Sequence, residues 1–147
     1  MGLISEISNK IVFIDTAPLI YYIEGNSKYQ KILNEIFDLN VKRKFKFITS
    51  TLTLLEVLVL PIKLNEFELV KKFESILVNS ETLRIIDLDK KIARKAAEIR
   101  AEHKFKTPDS IQLATAIEYS ADYFLTNDKK LKIKNIESVI LEDFIIN

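Results

Sequence analysis

The chain has 147 residues, enough to bury one substantial core without staples, and its 48% hydrophobic and 29% charged content is that of an ordinary folded domain. Its 22 Lys and Arg stand against 21 Asp and Glu, a formal net charge of +1, so attraction to a polyanion must come from local patches. There is no cysteine, which excludes disulfide scaffolds, thiolate zinc sites and cysteine nucleophiles and fits a reducing, cytoplasmic setting.

The amino terminus, MGLISEISNK, has neither the basic start nor the apolar segment of a signal peptide, and Glu6 spoils a myristoylation pattern, so an unprocessed protein is expected. The apolar run IVFI reads as a strand that ends at Asp15 and feeds the helix-like TAPLIYYIE, with helices continuing to about Leu39. FKFIT is a second strand. TLTLLEVLVLPI then reads as a helix that would be buried completely but for Glu56, its only charged residue. NEFELVKKFESILVNS is an amphipathic helix with Phe67, Leu69, Val70, Phe73, Ile76 and Leu77 on its apolar face. LRIID is a third strand. DKKIARKAAEIRAEH follows as a helix that Asp89 caps, with Ile92, Ala96, Ile99 and His103 along one stripe. In KTPDSIQLATAIEY, Thr107 is expected to cap a helix whose first position suits Pro108, with Asp109 facing its amino-terminal end. YFLT, in the run DYFLTND that ends at Asp128, and SVIL supply the last strands.

Alternating strands and helices imply an α/β protein. Crossovers between parallel strands need helices, so the expected architecture is a doubly wound, three-layer fold with a mainly parallel central sheet flanked by helices, in a single domain spanning 1–147. The longest apolar stretch, around Leu52 to Ile62, falls far short of the roughly 20 residues a membrane-spanning helix needs. With only Gly2 and Gly25, no glycine-rich phosphate loop can be assembled.

Chemistry concentrates in four acids: Asp15, Glu56, Asp109 and Asp128. Asp15 and Asp128 fall at carboxyl ends of strands, the edge at which open parallel sheets bind ligands. Glu56, in apolar surroundings, needs a partner, and Asp109 sits at a helix mouth. Each also has a plain structural role available: Asp15 and Asp128 as caps, Asp109 as an acid favoured by the helix dipole. Gathered at one crevice, the four would repel one another and call for a divalent cation. Oxygen ligands with no cysteine and one histidine favour Mg²⁺ or Mn²⁺.

The segments VFIDTAPLIYYIE, TSTLTLLEVLV and TPDSIQLATAIEYSADYFLTND resemble the successive motifs of PIN-domain proteins, particularly the single-domain VapC-type toxin ribonucleases. The likeness runs from about Ile11 to Leu141 and is most specific in the last motif, where an acid opens a helix and T-x-D closes the next strand. It implies a PIN-like fold and a Mg²⁺- or Mn²⁺-dependent endoribonuclease that leaves a 5′-phosphate and a 3′-hydroxyl. Asp15, Glu56 and Asp109 match the three principal acids, Asp128 the more variable fourth, and Thr126 a supporting hydroxyl. Thr16 matches a small polar position and equally reads as a helix cap, while Asn127 is given an orienting role. The resemblance also implies RNA as substrate, an antitoxin protein as partner, and a homodimer; the apolar richness around Leu54 to Leu60 agrees with a dimer, and burial within the monomer explains it equally well.

Lys104, Lys106, Lys129 and Lys130 are the nearest cations in sequence for a scissile phosphate, although lysines on a solvated face need no such role. Arg43, Lys44 and Lys46 precede the second strand and are expected at the opposite end of the sheet. Tyr21, Tyr22 and Tyr29 read as packing residues before they read as base-stacking ones, and His103 as a helix-end residue. Competing functions are a PIN-like nuclease of RNA maturation or structured DNA, and a catalytically silent PIN-fold binding module. A phosphoacceptor receiver would need adjacent acids after the first strand, and a haloacid-dehalogenase-like phosphatase an acid at position 17, which is Ala17.

Overall fold

In a computed structural model, which describes residues 2–145, one sheet of five parallel strands runs in the order β3-β2-β1-β4-β5. The strands are β1 (Ile11–Ile14), β2 (Lys46–Ser50), β3 (Leu83–Ile86), β4 (Tyr123–Thr126) and β5 (Glu137–Ile140). The helices are α1 (Leu3–Ile7), α2 (Thr16–Glu24), α3 (Gln30–Val41), α4 (Thr51–Lys63), α5 (Phe67–Leu77), α6 (Lys90–Glu102) and α7 (Thr107–Glu118), followed by a 3₁₀ turn at Leu141–Phe144. Met1, Ile146 and Asn147, the ends of the expected 1–147 span, lie outside the described residues.

Strand alternation divides the core. Val12, Ile14, Phe47, Leu83 and Leu125 point into one layer with α1 to α5, where Leu19, Leu33, Ile36, Val57, Phe73 and Leu77 meet them. Phe13, Ile48, Ile86 and Phe124 point into the other, against Ile92, Ala96, Ile99 and Leu113 of α6 and α7. Phe13 and Phe124 stack with centroids 5.2 Å apart, fastening β1 to β4 on that face. The expected doubly wound three-layer architecture is the observed one, with every strand parallel.

The sequence places β1 to β5 correctly to within a residue or two, because runs buried on both faces carry few polar interruptions. Several local expectations need correction. Thr107 does not cap α7: it is the first helical residue, Lys106 holds the cap position without a side-chain bond, and the Thr107 hydroxyl accepts from Arg100 Nη1 at 2.7 Å. Helix α4 is not buried throughout. Thr53, Val57 and Pro61 form its buried stripe, whereas Leu55, Val59, Leu60 and Ile62 are 52–58% exposed. Phe67, counted on the apolar face of α5, opens that helix 59% exposed, outside the Phe73 and Leu77 contact. Helix α1 and the 3₁₀ turn are too short to show a periodic signal in the sequence; each is held by buried residues, Leu3 and Ile7 in one and Leu141 in the other. Asp89 caps α6 as expected, accepting from the Ile92 N–H at 2.8 Å. Among the described residues no helix is long and apolar enough to cross a membrane.

Candidate active site

Strand order reverses beside β1: the chain passes from β1 to β2 on one side, and β4 lies on the other. Ligand crevices in open α/β sheets form at such switch points, beyond the carboxyl ends of the strands. Asp15 follows β1 there, its N–H still bonded to the Leu125 carbonyl of β4 at 2.9 Å. It is the cap of α2, a position that favours a short acceptor side chain. Asp128 lies two residues beyond β4. Helix α4, capped by Ser50 immediately after β2, carries Glu56, and α7 carries Asp109 in its first turn.

All four acids line one cavity of about 460 Å³, together with Thr16, Ala17, Ile20, Tyr21, Gln112, Thr126, Asn127 and Lys129. The carboxylates therefore converge from four separate segments. Among the described residues, however, no three His, Cys, Asp or Glu side chains form a ready-made cage for one ion.

Hydrogen bonds fix the innermost acid. Asp15 Oδ1 accepts from the Thr16 N–H at 2.9 Å and from Gln112 Nε2 at 3.4 Å, and Oδ2 accepts from the Thr126 hydroxyl at 2.8 Å. Thr126 Oγ1 also accepts from the Asp128 N–H at 3.2 Å, so one hydroxyl holds both acids of this strand pair. Thr16 does the same for the other pair: besides its N–H to Asp15, its hydroxyl donates to Glu56 Oε1 at 2.8 Å. This is the partner that Glu56 needed, and it gives Thr16 a role other than the helix cap, which Asp15 fills.

Burial pushes the Asp15 carboxyl above its ordinary pKa; the bonds from Thr126, Thr16 and Gln112 pull it down without cancelling that, and Asp128 adds to the rise. The Asp109 carboxyl is also raised, by burial first and then by the charges of Asp15, Asp128 and Glu56, with Lys106 opposing. The four acids thus interact electrostatically through the cavity.

Gln112 is a site residue that the sequence reading missed. It is buried on α7, donates to Thr53 Oγ1 at 2.7 Å as well as to Asp15, and accepts from the Ser50 hydroxyl. Thr49 Oγ1, which donates to the Ile14 carbonyl at 2.8 Å, lies 2.9 Å from Thr53 Oγ1. A buried polar layer therefore backs Asp15, and among the described residues no buried side-chain N or O lacks a partner. A lone glutamine among the apolar residues of SIQLATA was the available signal, the same one that singled out Glu56.

The remaining candidates divide. Lys129 lines the cavity, and Lys106 acts on the charge of Asp109; Lys104 and Lys130 are exposed and outside the lining. The Lys130 N–H bonds Asp128 Oδ1 at 3.0 Å, so Asp128 caps the following turn while facing the cavity. Asn127 bonds to Tyr29 and Glu142 instead of to the acids. Tyr29 is buried, and Tyr22 stacks on Phe37 at 3.7 Å, in keeping with packing roles, whereas Tyr21 lines the cavity. His103 ends α6 and stacks on Phe105, and Lys46 opens β2 at the far end of the sheet.

A five-stranded parallel sheet with acids gathered at its switch point is an arrangement of PIN-type α/β proteins, and the PIN domain family matches residues 12–136. The chain belongs to that family. Its fold is similar to that of VapBC2 from Rickettsia felis bound to a DNA fragment from its promoter, with a TM-score of 0.72 at 23% identity over 88% of this chain and 98% of the other. A toxin-antitoxin complex from Klebsiella pneumoniae matches with a TM-score of 0.67 at 23% identity over 88% and 97%. VapC20 from Mycobacterium tuberculosis, a toxin that cleaves the sarcin-ricin loop, matches with 0.66 at 15% identity over 82% and 92%. A search of curated protein sequences finds no match.

Proposed function

We propose that the chain is a divalent-metal-dependent endoribonuclease, the toxin of a VapBC-type pair, working as a single PIN-like domain over 1–147. The observation that carries this reading is the convergence of Asp15, Glu56, Asp109 and Asp128 on one cavity at the switch point. Similarity to toxin and antitoxin complexes supports the biological role and the antitoxin partner.

The donor set suits a hard cation. It consists of carboxylate oxygens, and the burial of Asp109 together with the repulsion from Asp15, Asp128 and Glu56, which raise its carboxyl, is the penalty a cation relieves. Mg²⁺ commonly keeps several waters and uses only one or two carboxylates directly, so a ring of acids around a roomy cavity suits it without a closed cage. Asp15, Glu56, Asp109 and Asp128 would hold Mg²⁺ or Mn²⁺, which when bound would polarise the phosphate and neutralise developing charge. The protein's own part is positioning. Thr16, Gln112 and Thr126 orient Asp15, Thr16 orients Glu56, and Thr126 holds the Asp128 backbone. Lys129 on the cavity wall and Lys106 beside Asp109 supply positive charge for the RNA phosphates. The exposed stripe of Leu55, Val59 and Ile62 on α4 is an apolar surface fit for a protein interface, and a homodimer is the occupant proposed for it.

The test is product chemistry on a mixed RNA pool with Mg²⁺ or Mn²⁺. Hydrolysis of this kind leaves a 5′-phosphate and a 3′-hydroxyl; a 2′,3′-cyclic phosphate would rule the mechanism out.

A further inference from the structure

Asn127 stands between Thr126 and Asp128 on the cavity wall, yet both polar ends of its side chain are engaged elsewhere. Its Nδ2 donates to the Tyr29 hydroxyl at 3.0 Å, that hydroxyl donates to Glu142 Oε2 at 2.7 Å, and the Glu142 N–H donates to Asn127 Oδ1 at 2.9 Å. The three residues close a ring. Each group in it acts in the sense its chemistry allows, the phenol accepting once and donating once and the amide using its donor and acceptor ends separately. Lys28 Nζ, at 2.7 Å, takes the remaining Glu142 oxygen.

The ring joins segments far apart in the chain: the turn before α3, the loop after β4 and the 3₁₀ turn. The Asp128 N–H donates to Thr126 Oγ1, the Lys130 N–H to Asp128 Oδ1 and the Leu131 N–H to the Asp128 carbonyl, and these bonds set the shape of the Asp128 loop. The Thr126 hydroxyl, donating to Asp15, ties the start of the loop to the cap of α2. Tyr29 ties it to the same helix further along: it is buried, and its ring stacks on Tyr21 with centroids 4.7 Å apart and planes 13° from parallel. Tyr21 lines the same cavity as Asp128 and Lys129.

We infer that Tyr29 and Glu142 are positioning residues, holding Asp128 and Lys129 through Asn127, and Tyr21 through the ring stack, at a fixed separation across the cavity. Their effect on RNA cleavage rests on the nuclease reading; their effect on the loop does not. Breaking the ring loosens one wall of the cavity and leaves the Asp15 wall in place, because Thr16, Gln112 and Thr126 hold Asp15 independently.

Amide hydrogen exchange of the intact protein tests this without substrate. Tyr29→Phe keeps the stack and removes the hydroxyl, and is expected to speed exchange at Asp128, Lys130 and Leu131 about tenfold while β1 and α7 keep wild-type protection. Glu142→Leu removes the acceptor of the Tyr29 hydroxyl while keeping the backbone bond to Asn127, and is expected to speed exchange at the same three amides. In RNA cleavage, Tyr29→Phe should lower kcat about tenfold with KM changed less than about twofold. Unchanged exchange in the loop, or acceleration spread evenly over the sheet, would overturn the positioning role. Loop-confined acceleration in a protein whose wild type cuts no RNA would uphold the positioning role and refute the nuclease reading.

Discussion

Thr16 bridges two acids that the chain separates widely: its N–H donates to Asp15 Oδ1 at 2.9 Å and its hydroxyl to Glu56 Oε1 at 2.8 Å. The hydroxyl is the one hydrogen-bond donor that reaches Glu56 among the described side chains. Thr16→Val keeps the shape and removes that donor. A hydrogen bond to a charged group contributes about 1.5–3 kcal/mol, so kcat/KM for RNA should fall about 10- to 150-fold if the full contribution reaches the transition state. Thr16→Ser should recover most of the loss in the same cleavage assay; a serine variant as weak as valine would point to the methyl group instead.

Gln112 is expected to matter for stability as well as for orienting Asp15. Gln112→Leu leaves the Ser50 hydroxyl in a buried layer without its acceptor, while Thr53 keeps its contact with Thr49. Each buried polar group left unpaired costs about 1–3 kcal/mol. The urea midpoint should therefore fall clearly with an unchanged slope, the signature of lost stability in a fold that is otherwise intact.

The raised carboxyls of Asp15 and Asp109 make the metal-free protein respond to pH in a defined sense. A carboxyl whose pKa is higher in the folded state binds more protons there than in the unfolded chain. Its contribution is fully present below the ordinary Asp value of 3.8 and is lost as pH rises through the folded value. Asp109→Asn removes one ionising member of the cluster, so the metal-free variant should melt higher than wild type at pH 7, by about 2–4 °C for each 1 kcal/mol relieved. The difference should vanish in acid below that ordinary value. Mn²⁺ at pH 7 should raise the wild-type melting temperature and raise that of the variant less. Calorimetric scans with and without chelator measure all of these.

The exposed stripe on α4 should be indifferent to the stability of the single protomer. Val59→Glu with Ile62→Glu changes residues that are 56% and 52% exposed, and substitutions of that kind usually shift stability by no more than about 0.5 kcal/mol each. Light scattering after gel filtration should show wild type as a dimer and the double variant as a monomer. A monomeric wild type would remove the proposed homodimer.

These residues also show what the sequence could disclose. The strands were legible as short apolar runs, and Asp15, Glu56, Asp109 and Asp128 as acids in positions where burial or a strand end demanded a reason. The pattern of α4 alone points to full burial, because a hydrophobic pattern records that a face avoids water, not whether its own core or another chain covers it. At the start of α7 the T-P-D run fits a cap at Thr107 as readily as one at Lys106, one residue earlier, and local pattern does not separate the two. The ring of Tyr29, Asn127 and Glu142 was hidden for a different reason. Tyr29 stands 98 and 113 positions from Asn127 and Glu142, and nothing in local pattern couples a tyrosine in a turn to a glutamate near the carboxyl terminus.

The most direct measurement is RNA cleavage by chelator-stripped protein with Mn²⁺ added back, run beside Asp15→Asn prepared identically. Wild type should be silent when stripped and cut RNA once Mn²⁺ returns, while Asp15→Asn, which keeps most of the local bonding and loses the charge, should stay at least about 100-fold slower. Equal cutting by the two proteins, or cutting by wild type that persists without the ion, would contradict a reaction carried out at this cluster of acids.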